Sequence, residues 1–178
     1  SVGALDWEPD MAWVMPEHGV DPWWRTDELS GDASQTFASA TDTNRIKALE
    51  SNGILVGGPP PSFDQHLNRS GFEYHVIAFR RVSGILNILE YTGDGTDDRD
   101  IAHGLGTTPG FVMIQAQDES HVSAAQFPCH NGDIAFSMTS ATEDAADLIQ
   151  ARDATNVQVG ADDRVNKSGV TYTLVVIA

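Results

Sequence analysis

The segment Asn166-Lys167-Ser168-Gly169-Val170-Thr171-Tyr172, followed by the apolar run 174–178, decides the fold expected for this chain. An earlier segment, Asn68-Arg69-Ser70-Gly71-Phe72-Glu73-Tyr74, has the same pattern and is followed by the run 76–79. The Asn, Ser and Gly residues are typical of a turn, and the β-branched and aromatic residues after them are typical of a strand. Two such units about 100 residues apart predict an internal repeat.

Three further pairs of segments keep the same order along the chain. They are Trp13-Val14-Met15 with Phe111-Val112-Met113, Ser39-Ala40-Thr41 with Ser140-Ala141-Thr142, and Val56-Gly57 with Val159-Gly160. An insertion around Pro59-Pro60-Pro61 accounts for the main difference in length. The pattern predicts an N-terminal arm over residues 1–12, a first, partial β-module over 13–82 and a second β-module over 83–178.

The segments between these motifs have the composition of short antiparallel strands. Ile46–Leu49 and Ile54–Val56 flank Ser51-Asn52-Gly53, and Asn-Gly supplies the positive φ angles of a tight hairpin. Glu143–Arg152 contains good helix formers, but its repeat partner near residues 45–50 favours a strand. The expected fold is an all-β, antiparallel β-sandwich built from two related halves. Its other strands are predicted at Tyr74–Phe79, Ile85–Tyr91, Phe111–Ala116 and Tyr172–Ile177.

The charge of the chain limits the functions that it can have. Ten basic residues against 26 acidic ones give a net charge of −16. Such a surface repels phosphate groups, so neither nucleic acid nor an anionic membrane is an expected partner. The chain has one cysteine, Cys129, and therefore forms no disulfide within itself.

A second set of motifs resembles a known family. Tyr91-Thr92-Gly93-Asp94-Gly95-Thr96, then His103-Gly104-Leu105-Gly106-Thr107-Thr108-Pro109 and an apolar strand, resembles a module of phage tail-fibre and other virion-surface proteins. In that module Asn-x-Ser-Gly-x-x-Tyr and a last apolar strand follow, as they do at residues 166–178. The first half lacks the His-Gly-Leu-Gly portion. The resemblance implies a β-rich component of a virion without catalytic residues.

The motif residues are expected to have structural roles. Gly104 and Gly106 relieve the backbone where side chains would clash, and Pro109 fixes φ before a strand. His103 is expected to form a hydrogen bond across the turn. Tyr74 and Tyr172 are expected to occupy equivalent places, each at the start of a long strand that closes its half.

Two clusters contain residue types that bind metal ions. The carboxylates of Asp94, Asp97, Asp98 and Asp100 suit calcium, although an acidic loop in contact with solvent is the simpler interpretation. His121, Cys129 and His130 carry the ligand types of zinc, but three residues do not complete a structural site. We expect neither a metal nor another cofactor.

All four tryptophans lie within the first 24 residues. Either they cap the core of the first half or they belong to an arm that docks on a neighbouring subunit, because aromatic residues are enriched in interfaces. Trp13 is assigned to the core, since it occupies a repeat-matched position. Trp7, Trp23 and Trp24 are the interface candidates.

The sequence therefore predicts a non-enzymatic structural protein on the exterior of a bacteriophage particle, of the kind that decorates or cements the head. The alternative is a tail-fibre or receptor-binding module that contacts host glycans. A glycan-cleaving enzyme would need a pair of converging carboxylates, and no pair among the acidic residues stands out. The expected partners are capsid or tail proteins of the same particle and further copies of the chain, with a trimer favoured.

Overall fold

The computed structural model describes residues 2–3, 5–17, 19, 21–37, 41–57, 67–117, 121, 123–130, 132–138 and 146–178. The chain divides into two compact units, unit 1 with Ser1–Thr36 and Thr41–Arg80, and unit 2 with Phe37–Ala40 and Arg81–Ala178. The strands are β1 (Val2–Gly3), β2 (Met11–Pro16), β3 (Trp23–Thr26), β4 (Ala33–Ser34), β5 (Asp42–Thr43), β6 (Ile46–Glu50), β7 (Gly53–Val56), β8 (Tyr74–Phe79), β9 (Leu86–Thr92), β10 (Arg99–Ala102), β11 (Phe111–Ala116), β12 (Ala124–Gln126), β13 (Phe136–Ser137), β14 (Ile149–Arg152), β15 (Asn156–Val159) and β16 (Thr171–Ile177). A short helix, α1, spans Asp163–Asn166.

Unit 1 contains two three-stranded antiparallel sheets, ordered β1-β7-β6 and β3-β2-β8, and the short pair β4-β5. Apolar side chains from both larger sheets meet in one core, because alternate residues of each strand point to the same face. The buried members of this core are Ala12, Val14, Trp23, Ile46, Ile54 and Leu67. Unit 1 is therefore a small β-sandwich.

Unit 2 contains a three-stranded sheet, β10-β15-β14, and a five-stranded sheet, β13-β12-β11-β16-β9, with every pair antiparallel. Both sheets contribute to one core, whose members include Ile101, Val112, Ile114, Ile149, Val157, Val159, Tyr172, Leu174 and Val176. The all-β antiparallel fold class is confirmed. No helix in the described part of the chain is long and apolar enough to cross a membrane.

The strand orders of the two units agree. The series β3-β2-β8 in unit 1 corresponds to β12-β11-β16 in unit 2, and β1-β7-β6 corresponds to β10-β15-β14. The register of β6 on β7 shifts between Ile46 and Ala48, and that of β14 on β15 shifts between Ile149 and Ala151. No strand described in unit 1 corresponds to β9.

The pairing corrects one of the sequence matches. Trp13 lies opposite Ile77, and Met113 lies opposite Val175. With Tyr74 aligned on Tyr172, Trp13 therefore corresponds to Met113 and not to Phe111. Apolar residues at neighbouring positions on these strands make a two-residue slip hard to detect from the sequence. The match of residues 39–41 with 140–142 lies almost wholly outside the described residues, as does the Pro59–Pro61 insertion.

A matched pair of glycines marks the end of the hairpin in each unit. A Cβ on Gly57 would collide with the carbonyl oxygen of Asn44, and one on Gly160 would collide with that of Asp147. Asn44 and Asp147 both have φ of 64°, a left-handed conformation that Asn and Asp tolerate better than most residues. The repeated Val-Gly motif thus marks a place where two backbone segments must approach closely.

A second matched pair is polar and was not evident from the sequence. Arg25, at 6% exposure, donates to the carbonyl of Gly31 at 2.9 Å. Gln126, at 2% exposure, donates to the carbonyl of Gly132 at 3.3 Å. By strand pairing Arg25 and Gln126 are equivalent, so side chains of different charge hold the same loop carbonyl in the two units.

Most of the predicted strands are confirmed. The hairpin at residues 46–56 is formed by β6 and β7, and the predicted long strands correspond to β8, β9, β11 and β16 within one residue at each end. Of the segment Glu143–Arg152, residues 149–152 form strand β14, as expected, and residues 143–145 lie outside the described part of the chain.

The predicted arm over residues 1–12 is wrong as a separate element. Val2 pairs with Ile54 in β7, and Met11 and Ala12 are buried residues of β2. A strand that completes a sheet cannot be an independent arm. The boundaries 13–82 and 83–178 are replaced by units that begin at Ser1 and at Arg81, with Phe37–Ala40 assigned to unit 2.

The Asn-x-Ser-Gly-x-x-Tyr motif has the same hydrogen bond in both units. The hydroxyl of Tyr172 accepts from the backbone N–H of Lys167 at 2.8 Å, and that of Tyr74 accepts from the N–H of Arg69 at 3.0 Å. Tyr172 also donates to the carbonyl of Asp163 at 2.6 Å and is fully buried, whereas Tyr74 is half-buried. Each tyrosine ties the turn to the strand that begins beside it.

We expect Tyr172→Phe to lower the free energy of unfolding by about 1–3 kcal/mol, because the change leaves buried backbone groups without their partner. The matched variant Tyr74→Phe should cost clearly less, since solvent reaches its site. Denaturant unfolding of both variants measures the difference. Equal losses would contradict the structural role assigned to the buried hydroxyl.

Candidate functional site

His103 of the His-Gly-Leu-Gly motif is a buried structural residue. Its Nε2 lies 3.1 Å from the carbonyl oxygen of Asp153, and its Nδ1 accepts the backbone N–H of Leu105 at 3.2 Å. A ring that accepts at Nδ1 can donate from Nε2 to this carbonyl. The histidine therefore joins the turn before β11 to the hairpin between β14 and β15.

The other residues of this motif shape the backbone. Gly104 has φ of +72° and Gly106 has φ of +75°, in the left-handed region that favours glycine. Pro109 is buried two residues before the start of β11. These positions make a turn, and none of them presents a chemically reactive group.

Asn166 joins two of the sequence motifs of unit 2. Its side-chain N–H groups donate to the carbonyl of Thr96 at 2.6 Å and to Asp94 Oδ1 at 3.3 Å. Its Oδ1 accepts from the backbone N–H of Asp94 at 3.1 Å and from Arg99 at 3.0 Å. One fully buried amide thus organises the loop of residues 91–99.

A stacked pair of tyrosines completes this contact. The rings of Tyr91 and Tyr172 lie 5.2 Å apart at an interplanar angle of 16°. The hydroxyl of Tyr91 donates to the carbonyl of Val165 at 2.5 Å. Burial raises the pKa of Tyr91, so its hydroxyl stays protonated as a donor.

The calcium candidates of the acidic loop make hydrogen bonds of their own. Asp94 accepts from the N–H and the hydroxyl of Thr96, and these bonds lower the pKa of its carboxyl group. Asp97 accepts from the backbone of Asp98. Asp100 lies in a polar cleft described below. Among the described residues, no three His, Cys, Asp or Glu side chains are placed to hold a metal ion.

Asp97 belongs instead to a second acidic cluster. The Nε2 of Gln150 donates to Asp97 Oδ1 at 2.8 Å and to Asp147 Oδ1 at 3.2 Å, and Asp133 accepts the backbone N–H of Asp147 at 2.8 Å. Desolvation, then the carboxylates of Asp97 and Asp133, raise the pKa of Asp147. The three carboxylates concentrate negative charge, and the side-chain amide of Gln150 offsets only part of it.

The zinc candidates also have separate roles. The backbone carbonyl of His121 accepts from Gln115 at 2.7 Å. The Nδ1 of His130 accepts the backbone N–H of Phe127 at 2.9 Å, and Cys129 is exposed.

Two of the three interface tryptophans must be reassigned. Trp23 and Trp24 are 4% and 0% exposed in β3, so in this fold they are core residues of unit 1. The guanidinium of Arg45 lies 5.0 Å from the ring centroid of Trp23. Trp7 is half-buried and keeps part of its surface exposed.

A partly exposed cluster of aromatic side chains lies in unit 2, and no sequence motif predicted it. We call Phe111, Phe127, His130 and Phe136 the aromatic patch. Phe111 begins β11 and Phe136 begins β13, while Phe127 and His130 lie in the segment that follows β12. Phe127 lies 5.0 Å from Phe111 and 5.4 Å from Phe136 between ring centroids, and His130 lies 5.5 Å from Phe136. Phe127 keeps 38% of its surface exposed. Because Phe111, Phe127 and Phe136 come from separate segments, strand pairing brings these three rings together.

A polar cleft adjoins the aromatic patch at His130. Its volume is about 340 Å³, and a neighbouring cleft of about 200 Å³ shares Ala151 and Arg152 with it. Arg152 donates to Gln126 Oε1 at 2.9 Å and to the carbonyl of Phe127 at 2.8 Å, so its position is fixed from two sides. The polar side chains that line the two clefts are Asp100, Thr108, Gln126, His130, Gln150, Arg152, Asp153, Asn156 and Gln158.

Comparisons with known proteins give no family for this chain. No family model matches the sequence, no curated protein is similar to it, and no solved structure is similar to its fold.

We expect Asp147→Asn to raise the melting temperature at neutral pH. The raised pKa means that folding favours the protonated carboxyl group, so the ionised group destabilises the fold above its folded-state pKa. The gain should fall as the pH drops through the folded-state pKa and disappear below the ordinary value of 3.8, where both states are protonated. Asn keeps the left-handed backbone, as Asn44 does at the matched position of unit 1.

Asp98→Asn is the control for this experiment. It removes one charge at an exposed residue that also has positive φ. Melting curves between pH 3 and pH 8 would show a larger, pH-dependent gain for Asp147→Asn. Equal gains in the two variants would mean that only net charge matters.

Proposed function

We propose that this chain is a non-enzymatic structural protein on the exterior of a bacteriophage particle, and that it works by adhesion to neighbouring proteins of that particle. The resemblance of the motifs in unit 2 to virion-surface modules supports this proposal. Their residues are engaged in holding turns and strands, as the bonds of His103, Asn166 and Tyr172 illustrate. A decoration of the head is the form that we favour.

The observation that carries the proposal is the aromatic patch. A cluster of three phenylalanine rings and an imidazole on the surface of a strongly acidic chain is unusual, because exposed apolar clusters normally mark a contact surface. Aromatic residues are enriched in the cores of protein interfaces, and charged residues are depleted there. A protein neighbour that covers Phe127 would remove its exposed surface from water.

A second candidate function, contact with host glycans, is favoured by the polar clefts. Amide, carboxylate and guanidinium groups surround them, and such groups suit the hydroxyls of a sugar. Arg152 is held in place before any ligand arrives, which reduces the entropy lost on binding. This function would belong to a tail fibre or a receptor-binding module.

We expect Phe127→Ser to weaken attachment to particles that lack the chain by roughly thirtyfold, the effect of losing about 2 kcal/mol at the centre of an interface. Ile85→Ser is the matched control, since Ile85 is an exposed apolar residue outside the aromatic patch, at 55% exposure. The measurement is the number of copies bound per particle as a function of added protein.

Three outcomes separate the candidates. Reduced occupancy for Phe127→Ser alone supports adhesion through the aromatic patch. Unchanged occupancy for both variants excludes the aromatic patch as the anchor. If wild-type chain does not attach but binds immobilised glycans, and Arg152→Ala abolishes that binding, the glycan-binding candidate is correct.

A further inference from the structure

Strand β8 has one open edge among the described strands. It pairs with β2 on one side, and the sheet order β3-β2-β8 leaves it at the end. Its counterpart in unit 2, β16, lies between β11 and β9. In unit 2 the corresponding edge is therefore covered by an antiparallel strand, β9.

Two apolar side chains of β8 are exposed. Val76 is 38% exposed and Ile77 is 39% exposed. The equivalent residues of β16, Leu174 and Val175, are both 0% exposed. Exposed apolar groups on an edge strand favour association, and natural edges usually carry lysine, proline or a bulge that prevents it. β8 contains neither lysine nor proline.

The backbone of β8 also presents hydrogen-bonding groups to this edge. The carbonyls of Glu73 and Phe79 accept from Glu17 and Asp10, on the side of β2. Because the direction alternates along a strand, the amide and carbonyl groups of Val76 and Ala78 point the other way. In unit 2 the Ala178 amide donates to the carbonyl of Ile85, on the side of β9.

We infer that β8 is a docking edge for β8 of a second copy of this chain, paired antiparallel about a two-fold axis. The charges make the strand complementary to itself. Exposed Glu73 precedes β8 and exposed Arg80 follows it. An antiparallel arrangement brings the end of β8 at Glu73 towards the partner subunit's Arg80 at both ends of the pair, with Val76 and Ile77 near its centre.

The charge of the whole chain supports a second copy as the occupant. Two chains of −16 repel each other, so they must meet where acidic side chains are few. β8 contains no acidic residue, and each end of the pair would match opposite charges. The two-fold symmetry of this contact gives a dimer, unlike the trimer favoured from the sequence. The inference does not depend on the proposed function.

The test is the oligomeric state of the full chain in solution. We expect a concentration-dependent dimer by sedimentation velocity, and Val76→Pro should weaken dimerisation by about tenfold or more. Proline is tolerated on an edge strand at a position whose backbone N–H points away from the sheet, so the Val76→Pro variant should still fold. Ile77→Lys, which places a charge on the edge, should have the same effect and keeps the test decisive if the proline variant unfolds.

Ile85→Lys is the control, because it adds the same charge at an exposed apolar residue outside β8 and should leave the dimer intact. A wild-type chain that stays monomeric at the highest soluble concentration overturns the inference, as does a folded Ile77→Lys variant that dimerises like the wild type. A dimer that Phe127→Ser disrupts and Ile77→Lys does not would place self-association at the aromatic patch and also overturn it.

Crosslinking tests the antiparallel geometry directly. With Cys129 replaced by serine, a cysteine at residue 76 or 77 should form a disulfide between subunits under mild oxidation. Residues opposite each other in an antiparallel pair have Cα atoms about 4.5–5.5 Å apart, within the range that a disulfide spans. A cysteine at exposed Ser83 should form far less. Equal crosslinking at all three positions, or none at 76 and 77, would contradict the proposed pairing.

Discussion

The structure of unit 2 depends on the buried side chain of Asn166 and on the tyrosine six residues after it. Asn166 uses both its donors and its acceptor on the loop that follows β9, and Tyr172 closes the turn that precedes β16. Without these partners the buried amide would lose several hydrogen bonds, which would lower the free energy of unfolding. Because the loop and the turn belong to β9 and β16, these bonds also fix how the two strands are joined at one end.

The two units show which parts of this design can vary. Both keep the strand order, the register shift in the hairpin and the close approach at Gly57 or Gly160. Arg25 and Gln126, in contrast, perform one task with different side chains, because a loop carbonyl needs only a donor. The constraint is therefore geometric, and it tolerates a change in charge as long as the donor reaches the loop.

The sequence predicted the strands well because alternation and turn composition are local signals. The hairpin at residues 46–56 and the strands after Tyr74 and Tyr172 were found in this way. The prediction of an N-terminal arm is wrong because Val2 is held by a strand partner more than fifty residues away, and composition carries no signal of that pairing. Trp23 and Trp24 were placed among interface residues for the same reason. Their burial depends on long-range pairing, which composition does not encode.

The candidate contact surfaces lay beyond sequence reasoning for a related reason. The aromatic patch is assembled from residues separated by up to 25 positions, and the ring contacts exist only because β11, β12 and β13 are neighbours. The open edge of β8 is visible only by comparison with β16, since the strand has the composition of a covered one. Both surfaces have few charges in a chain of −16. In such a chain repulsion keeps most of the surface apart from other copies, so neutral areas are where lasting contact is physically favoured. Strong acidity and specific adhesion are therefore compatible, because the charge limits the places where contact can occur.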